Sequence, residues 1–349
     1  MFRRSKSLLG LDLGSQSIKV VEISLDGQEP VVTGFASTEL VPGLEREQAL
    51  SELLSNGRFR TRHTVTSVAG QAVVVRYISM VQMSDSELRQ AIRFESDKYL
   101  PFDSDEVVLD CHRLERAPSA GKDSEGKDQM AVVLAACRSS VVEQQISEVQ
   151  ANGLTPSAVD VEVFALANAW ELSGEPSDAE GEDAPERVLA LVDIGANRTQ
   201  INVLAGGETC FSREIGIGGS DMTQAAARRL GVELAEAEQI KRQPDEREVE
   251  VARAIGPVLE DLVSEVTLSL DYVENREGLR VEEILLSGGG ALAPGVLSFV
   301  EQTTGRRTRT WNPVAGLRVD PDRVDMDALE QAGPSLAVAV GLAARVCAA

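Results

Sequence analysis

The sequence holds only two histidines and four cysteines, Cys111, Cys137, Cys210 and Cys347, with no Cys-x-x-Cys pair. That scatter gives neither a zinc-ligand set nor a disulfide framework, so the thiols read as reduced and core-bound. Basic residues are also short: 34 Lys and Arg stand against 56 Asp and Glu, for a net charge of -22 and a pI near 4.6. An acidic surface repels phosphate backbones and anionic bilayers alike, which excludes nucleic acid as a general partner. Long hydrophobic runs are missing. The longest uncharged stretch, 284–300, covers 17 residues and holds Gly288, Gly289, Gly290, Pro294 and Gly295, so direct membrane insertion is not expected. The basic opening Met1 to Lys6 leads into an alternating strand pattern rather than the apolar core of a signal peptide, and a cytoplasmic location is expected.

What is present is enough apolar material, 43% of 349 residues, for two domains with real cores. "LLGLDLGSQSIKVVEISLDGQ", from Leu8 to Gln28, reads as a buried strand, a glycine turn and a returning strand, with Asp12 inside the apolar run and a lone Lys19 on the way back. Its pattern recurs in "RVLALVDIGANRTQINVLAGGETCFSREI", which gives strands at Val188 to Ile194, Thr199 to Leu204 and Thr209 to Ile215. Laying Asp193 over Asp12 places Gly195 on Gly14 and Val203 on Glu22, a constant offset of 181 residues. So large an offset is no solenoid period; it implies two similar domains, each opening with the same β-meander.

Between the copies, "SGEPSDAEGEDAPE" carries six acids, no bases and almost nothing to bury, and is expected as an acidic linker over 173–187. Upstream, Ser84 and Glu87 form a capping box for a helix from Ser84 to Leu100 with Leu88, Ala91, Ile92 and Tyr99 on one face, stopped by Pro101. Strands at Glu106 to Leu114 and Met130 to Cys137 and a helix from Val141 to Ala151 follow, so 64–153 reads as a small α+β insertion in a first domain formed by 1–63 and 154–172. The second domain is expected over 188–349. It contains helices near Asp221 to Leu230 and Ala235 to Arg242, a long helix from about Glu246 to Glu277, a strand and triple-glycine turn, and a last helix from Leu336 to Val346.

A carboxylate at the end of a buried strand, followed by a glycine turn, can serve phosphates. Backbone N–H groups from Gly14 through Ser15, Gln16 and Ser17, with the serine hydroxyls, would donate, and Lys19 would neutralise charge. Asp12 would hold Mg²⁺ through its waters, because that ion takes oxygen ligands and keeps part of its hydration. A tight hairpin also uses Asp and Gly for turn geometry alone. The second copy, with Asp193, Gly195, Ala196 and Asn197, lets two aspartates face one metal–nucleotide between two domains. Gly288, Gly289 and Gly290 would then bring backbone against an α-phosphate or base, unless they only make a strand-to-helix turn.

Two such hairpins, the late glycine turn and "AEQIK" at Ala237 to Lys241 together resemble the actin-like ATPase superfamily, which includes the bacterial filament proteins FtsA and MreB. The resemblance implies an α/β, actin-like (ribonuclease H-like) duplicated two-domain fold, and contacts to the adenosine of ATP from Glu238 and Lys241; the residue-level alternative is an exposed helical charge pair. Within the superfamily, "LLGLDLGSQSIKVVEI", "ELRQAIRFESDKYLPFDSDEVVLDCHRL", "AVDVEVFALANAW", "LVDIGANRTQINVL" and "ILLSGGGALAPGV" are similar to the PilM family of type IV pilus assembly proteins. That likeness implies an ATP- and Mg²⁺-binding cytoplasmic adaptor, peripheral at the inner membrane. It would grip the cytoplasmic N-terminal tail of a PilN-like membrane protein in a groove made by the insertion and the first domain. Pilus motor and platform components, and self-association, are the further partners expected.

Departures from the superfamily bear on catalysis. The second loop carries Asn197 and Arg198, bulkier than the small residues of efficient hydrolases, and Asp160 and Glu162 are the candidates for positioning water, each with a structural use as the alternative. ATP binding with slow or absent turnover is therefore expected. Two other readings remain: an FtsA-like polymerising cell-division ATPase, against which the apolar end "LAVAVGLAARVCAA" speaks, and a small-molecule kinase, for which no acidic or histidine cluster marks an acceptor site. The similar cytoplasmic region of the secretion component GspL would be expected to continue into a membrane span.

Overall fold

The structure is a computed structural model that describes residues 6–41, 43–115, 127–174 and 187–347. Of the expected acidic linker, 175–186 lie outside the described residues. The chain opens with β1 (Ser7–Leu13), β2 (Ser17–Asp26) and β3 (Glu29–Glu39) as an antiparallel meander, then α1 (Arg46–Asn56) and β4 (His63–Val68), parallel to β1. Next come β5 (Val73–Val81), α2 (Asp85–Glu95), β6 (Val107–Arg113) and β7 (Gln129–Arg138), then α3 (Ser139–Ala151), β8 (Thr155–Val161) and α4 (Glu162–Leu172). The second meander is β9 (Val188–Ile194), β10 (Thr199–Ala205) and β11 (Glu208–Ile215), followed by α5 (Gly219–Leu230), α6 (Leu234–Arg242) and α7 (Glu248–Glu277). The rest is β12 (Glu283–Ser287), α8 (Val296–Thr304), β13 (Arg307–Thr310), β14 (Arg318–Val319), α9 (Met326–Ala332) and α10 (Ala337–Ala343).

The duplication is visible in the sheets. One runs β14-β3-β2-β1-β4-β8 and the other β11-β10-β9-β12-β13, so after the extra edge strand β14 the two share the same order and the same antiparallel-then-parallel pairing. The 181-residue offset survives in the register: Asp12 sits opposite Lys19, and Asp193 opposite Gln200. Strand β9 is buried at all seven positions, as a strand covered on both faces must be, and tolerates a carboxylate only at its functional end.

The insertion is narrower than 64–153. Strand β4 belongs to the first sheet, between β1 and β8, and α3 packs on β4 and β8, so the inserted unit is β5, α2, β6 and β7 with their own three-stranded sheet and core. The reason lies in two hydroxyls. Thr64 and Thr66 of β4 are fully buried, their hydroxyls donating to the carbonyls of Arg62 and Leu11, which lets polar residues pass through the first core.

The second half likewise crosses back. Strand β14 pairs with β3, and α10 packs against β1, β2, β4 and α4, while α4 reaches over to β10 and β11. These two helices fill one core between the sheets. Small residues permit it: a Cβ on Gly341 would lie 1.7 Å from the Ala165 carbonyl oxygen, and one on Gly10 would lie 1.9 Å from that of Ala339. Small residues thus bring backbone against backbone. The apolar C-terminal segment is core, and no helix among the described residues is long and apolar enough to cross a membrane. Of the four cysteines, Cys137 is buried and Cys347 is exposed.

Candidate functional site

Strands β1 and β9 both end at a cleft of about 830 Å³ between the two halves. Its walls carry Asp12, Gly14, Ser15, Gln16, Ser17 and Lys19 from the first hairpin and Asp193, Gly195, Ala196, Asn197 and Arg198 from the second. Gly288 to Gly290, Glu238 and Lys241, and Glu162 at the start of α4 complete it. The geometry thus brings the nominated residues into one place, with one exception. Asp160, the other water-positioning candidate, is buried on β8, where it accepts a hydrogen bond from Arg345 at 2.7 Å and one from the Val161 N–H at 2.8 Å. It holds the chain end to β8.

Each hairpin turn is shaped for close approach. Gly195 N–H bonds the Arg198 carbonyl at 2.9 Å, and the first amides of α5 close over the loop, Gly219 to the Gly195 carbonyl at 2.9 Å and Ser220 to that of Ala196 at 2.7 Å. A Cβ on Gly218 would stand 2.5 Å from the Ala196 oxygen, which is why a glycine precedes this helix. Gln16 then donates to Ser220 Oγ at 2.9 Å and Ser220 to Asn197 Oδ1 at 2.9 Å, tying the two hairpin loops across the cleft. The triple glycine has a divided use. Gly288, at φ +86°, and Gly290 lie so close to Ile194 that a Cβ would come within 2.4 and 2.5 Å of it. A Cβ on Gly289 would meet nothing within 4 Å. Two of the three glycines serve packing, and one is open toward the cleft.

Charge is concentrated and poorly solvated here. Lys19 donates to Asp12 Oδ2 at 2.9 Å; burial pulls its pKa down, but Asp12, with Asp193 and Glu162 behind it, raises it overall. Asp193 Oδ1 accepts from Ser287 at 2.8 Å, yet burial pushes its pKa up to about 6. Glu162 is pushed up to about 8, first by burial and then by Asp12 and Asp193. Three carboxylates facing one lysine are a site in which a dication would relieve repulsion. Among the described residues no cluster of three or more His, Cys, Asp or Glu is arranged as a full ligand set. Asp12 and Asp193 are the carboxylates that could stand beside a Mg²⁺ ion, which takes oxygen ligands and keeps part of its hydration.

On the other wall, Lys241 is almost wholly buried. Its ammonium donates to the Gly219 carbonyl at 2.9 Å, Thr223 Oγ1 at 2.7 Å and Glu238 Oε2 at 2.7 Å. Burial lowers its pKa against the opposing pull of Glu238, whose own pKa falls despite burial because Lys241, Thr223 and Arg242 all donate to it. Glu238 and Lys241 are therefore a fixed polar wall rather than a loose surface pair. Sequence reasoning missed Arg242, which binds Glu238 Oε1 at 2.7 Å and reaches Glu39 of β3 across the cleft. It also missed Ser287, Ser220 and Thr223. The hydroxyls after the Gly218–Gly219 pair were a signal for two of these; Glu39, 203 residues from Arg242, gave none.

A family model described as type IV pilus assembly protein PilM matches residues 10–347. A solved structure described as the PilM-PilN type IV pilus biogenesis complex shares 33% sequence identity over 97% of this chain and 98% of that one, with a TM-score of 0.81. The ethanolamine utilization protein EutJ from Carboxydothermus hydrogenoformans is 16% identical over 99% of this chain and 90% of that one, at a TM-score of 0.54, a likeness of fold alone. The duplicated sheets and the crossed helices are those of the actin-like ATPase fold. The chain belongs to the PilM family of type IV pilus assembly proteins.

Proposed function

We propose that this protein binds ATP with Mg²⁺ in the cleft between its two halves, hydrolyses it slowly or not at all, and serves the pilus assembly platform as an adaptor. The observation that carries the reading is convergence: two hairpin loops 181 residues apart, the open Gly289 and the Glu238–Lys241 wall line one cleft of nucleotide size. Loop amides and the Ser15 and Ser17 hydroxyls bind phosphate, Lys19 compensates its charge, and Asp12 and Asp193 hold the metal through water. Bound Mg²⁺ would neutralise phosphate charge. Glu238 and Lys241 face the adenosine. Glu162, pushed up to about 8 by burial and by Asp12 and Asp193 in the nucleotide-free cleft, would be a poor acceptor for a proton from water at neutral pH, in keeping with the slow turnover proposed. Phosphate release by the purified protein is expected well below the enzymatic median of about 10 per second.

The inserted unit supplies the partner surface. Its apolar side chains Phe94, Val108 and Val81 are 88%, 50% and 39% exposed, and β6 is an edge strand of its sheet, features suited to an extended peptide. The peptide is the cytoplasmic N-terminal tail of a PilN-like membrane protein, which holds the adaptor at the inner membrane and links it to the motor. The test is a synthetic peptide of that tail, titrated into the protein and into a variant with 73–137 replaced by a short linker. Residues 72 and 138 are already joined by a 3.1 Å backbone hydrogen bond, so the first sheet stays intact. Peptide affinity should vanish while ATP affinity remains; a variant that keeps both would remove the basis of the adaptor reading.

A further inference from the structure

One charged node joins the second hairpin loop to the start of the insertion. Glu214, near the end of β11, accepts at Oε2 from the Gly70 N–H at 2.8 Å and from Gln200 Nε2 at 2.9 Å. Gly70 follows directly on Ser67 to Ala69, which line the cleft, and leads into β5 of the inserted unit. Arg198 reaches the same Glu214 oxygen only at 3.5 Å, with 36% of its side chain exposed, and it also lines the cleft. Its Nη1 would stand 2.9 Å from a Cβ on Gly70, which sits at φ +87°. After burial and the two aspartates, Arg198 is the next influence on Glu162, so its charge is felt at the cleft floor.

From this geometry we infer that Arg198 reads the terminal phosphate of a nucleoside triphosphate, exchanging Glu214 for it, and thereby couples the nucleotide to the inserted unit at Gly70. The exchange is favoured because Glu214 is already satisfied by Gly70 and Gln200, and its bond to Arg198 is long and partly solvated. A terminal phosphate offers the planar guanidinium a doubly charged acceptor with two oxygens for a bidentate pair. Once Arg198 leaves, the Glu214 carboxylate has one fewer cation competing for it, and its hydrogen bond to the Gly70 amide tightens. By linkage, whatever holds Gly70 against Glu214 then favours the triphosphate state. This inference rests on the nucleotide reading above.

The test is a double-mutant cycle by isothermal titration with Mg-ATP and Mg-ADP. Arg198→Ala should lower ATP affinity about tenfold or more relative to ADP affinity, the size of one charge-assisted contact. Glu214→Gln, which weakens the competing partner, should raise the ratio of ATP to ADP affinity, and this gain should disappear in the double variant. Hydrogen exchange at the Gly70 amide should be slower with ATP than with ADP in the wild type and equal in Arg198→Ala. An unchanged ratio in Arg198→Ala, or a Glu214→Gln gain that persists without Arg198, overturns the inference and leaves the cleft reading standing. Absence of binding of either nucleotide to the wild type overturns the cleft reading itself, and the inference with it.

Discussion

Replacing Asp12 with alanine removes the acceptor that Lys19 holds at 2.9 Å and leaves a lysine only 17% exposed beside Asp193 and Glu162. Two effects oppose each other. The metal loses one of its two carboxylate neighbours, and a charge-assisted contact of this kind is worth about 1.5–3 kcal/mol, or a roughly 10- to 150-fold loss of affinity. The freed Lys19 ammonium, however, turns to phosphate and offsets part of that loss where no metal is present. Isothermal titration should therefore show Mg-ATP affinity falling by about 10- to 150-fold, with ATP in the presence of a chelator changing by less than about threefold. Asp193 and Glu162 still neighbour Lys19, so the melting temperature should drop by only a few degrees, consistent with about 1–2 kcal/mol in a chain of this size. Equal losses with and without metal would show that the substitution damages the cleft as a whole. No loss in either would show that Asp12 is not at the metal. Either result refutes the reasoning.

A pH-dependent stability follows from Glu162. The folded state keeps its proton to about pH 8 while a solvated glutamate loses it near 4.5, so between those values the folded state binds more protons and stability falls as pH rises. Urea unfolding of the nucleotide-free protein at pH 5.5 and 8 should show that decline, flattened in Glu162→Gln; an unchanged slope in the variant would contradict the assignment. Glu22, the residue that breaks the match between the two hairpins, is fully buried and accepts from the Thr33 hydroxyl at 2.7 Å, the Arg60 N–H at 2.6 Å and the Thr61 N–H at 3.2 Å, with Arg323 at 3.4 Å. Glu22→Ala leaves the Arg60 and Thr61 amides without that acceptor and Arg323 without its buried counter-charge, while Thr33 keeps Ser24 and Arg323 keeps the Arg58 carbonyl; it should cost about 3–5 kcal/mol in urea unfolding, and a loss below about 1 kcal/mol would refute this role.

The two meanders were legible because each pairs a mainly apolar strand with an Asp-x-Gly end, and the repetition removed the ambiguity that one hairpin leaves. The capping box at Ser84 was equally readable, since Ser84 and Glu87 hydrogen-bond reciprocally and need no tertiary context. Strand β4 was not, because its Thr64 and Thr66 look polar until their hydroxyls find backbone acceptors inside the first core. Strand β14, two residues long, exists only through its pairing with Val31 and Val32 of β3 and has no local signal at all. Asp160 and Glu162 stand two residues apart in one motif, and only the step from β8 into α4 sends one to Arg345 and the other to the cleft. The polar wall shows the same limit: "AEQIK" announced Glu238 and Lys241, but Arg242 became part of the site through a residue of the other half.

The central claim is that both hairpin loops close on a single nucleotide. It is tested most directly by hydrogen exchange of the full chain with and without one equivalent of Mg-ATP. The account predicts that amides in 14–17, 195–198 and 288–290 gain protection together, at the same ligand concentration. Protection confined to one loop, or none at saturating Mg-ATP, would contradict it.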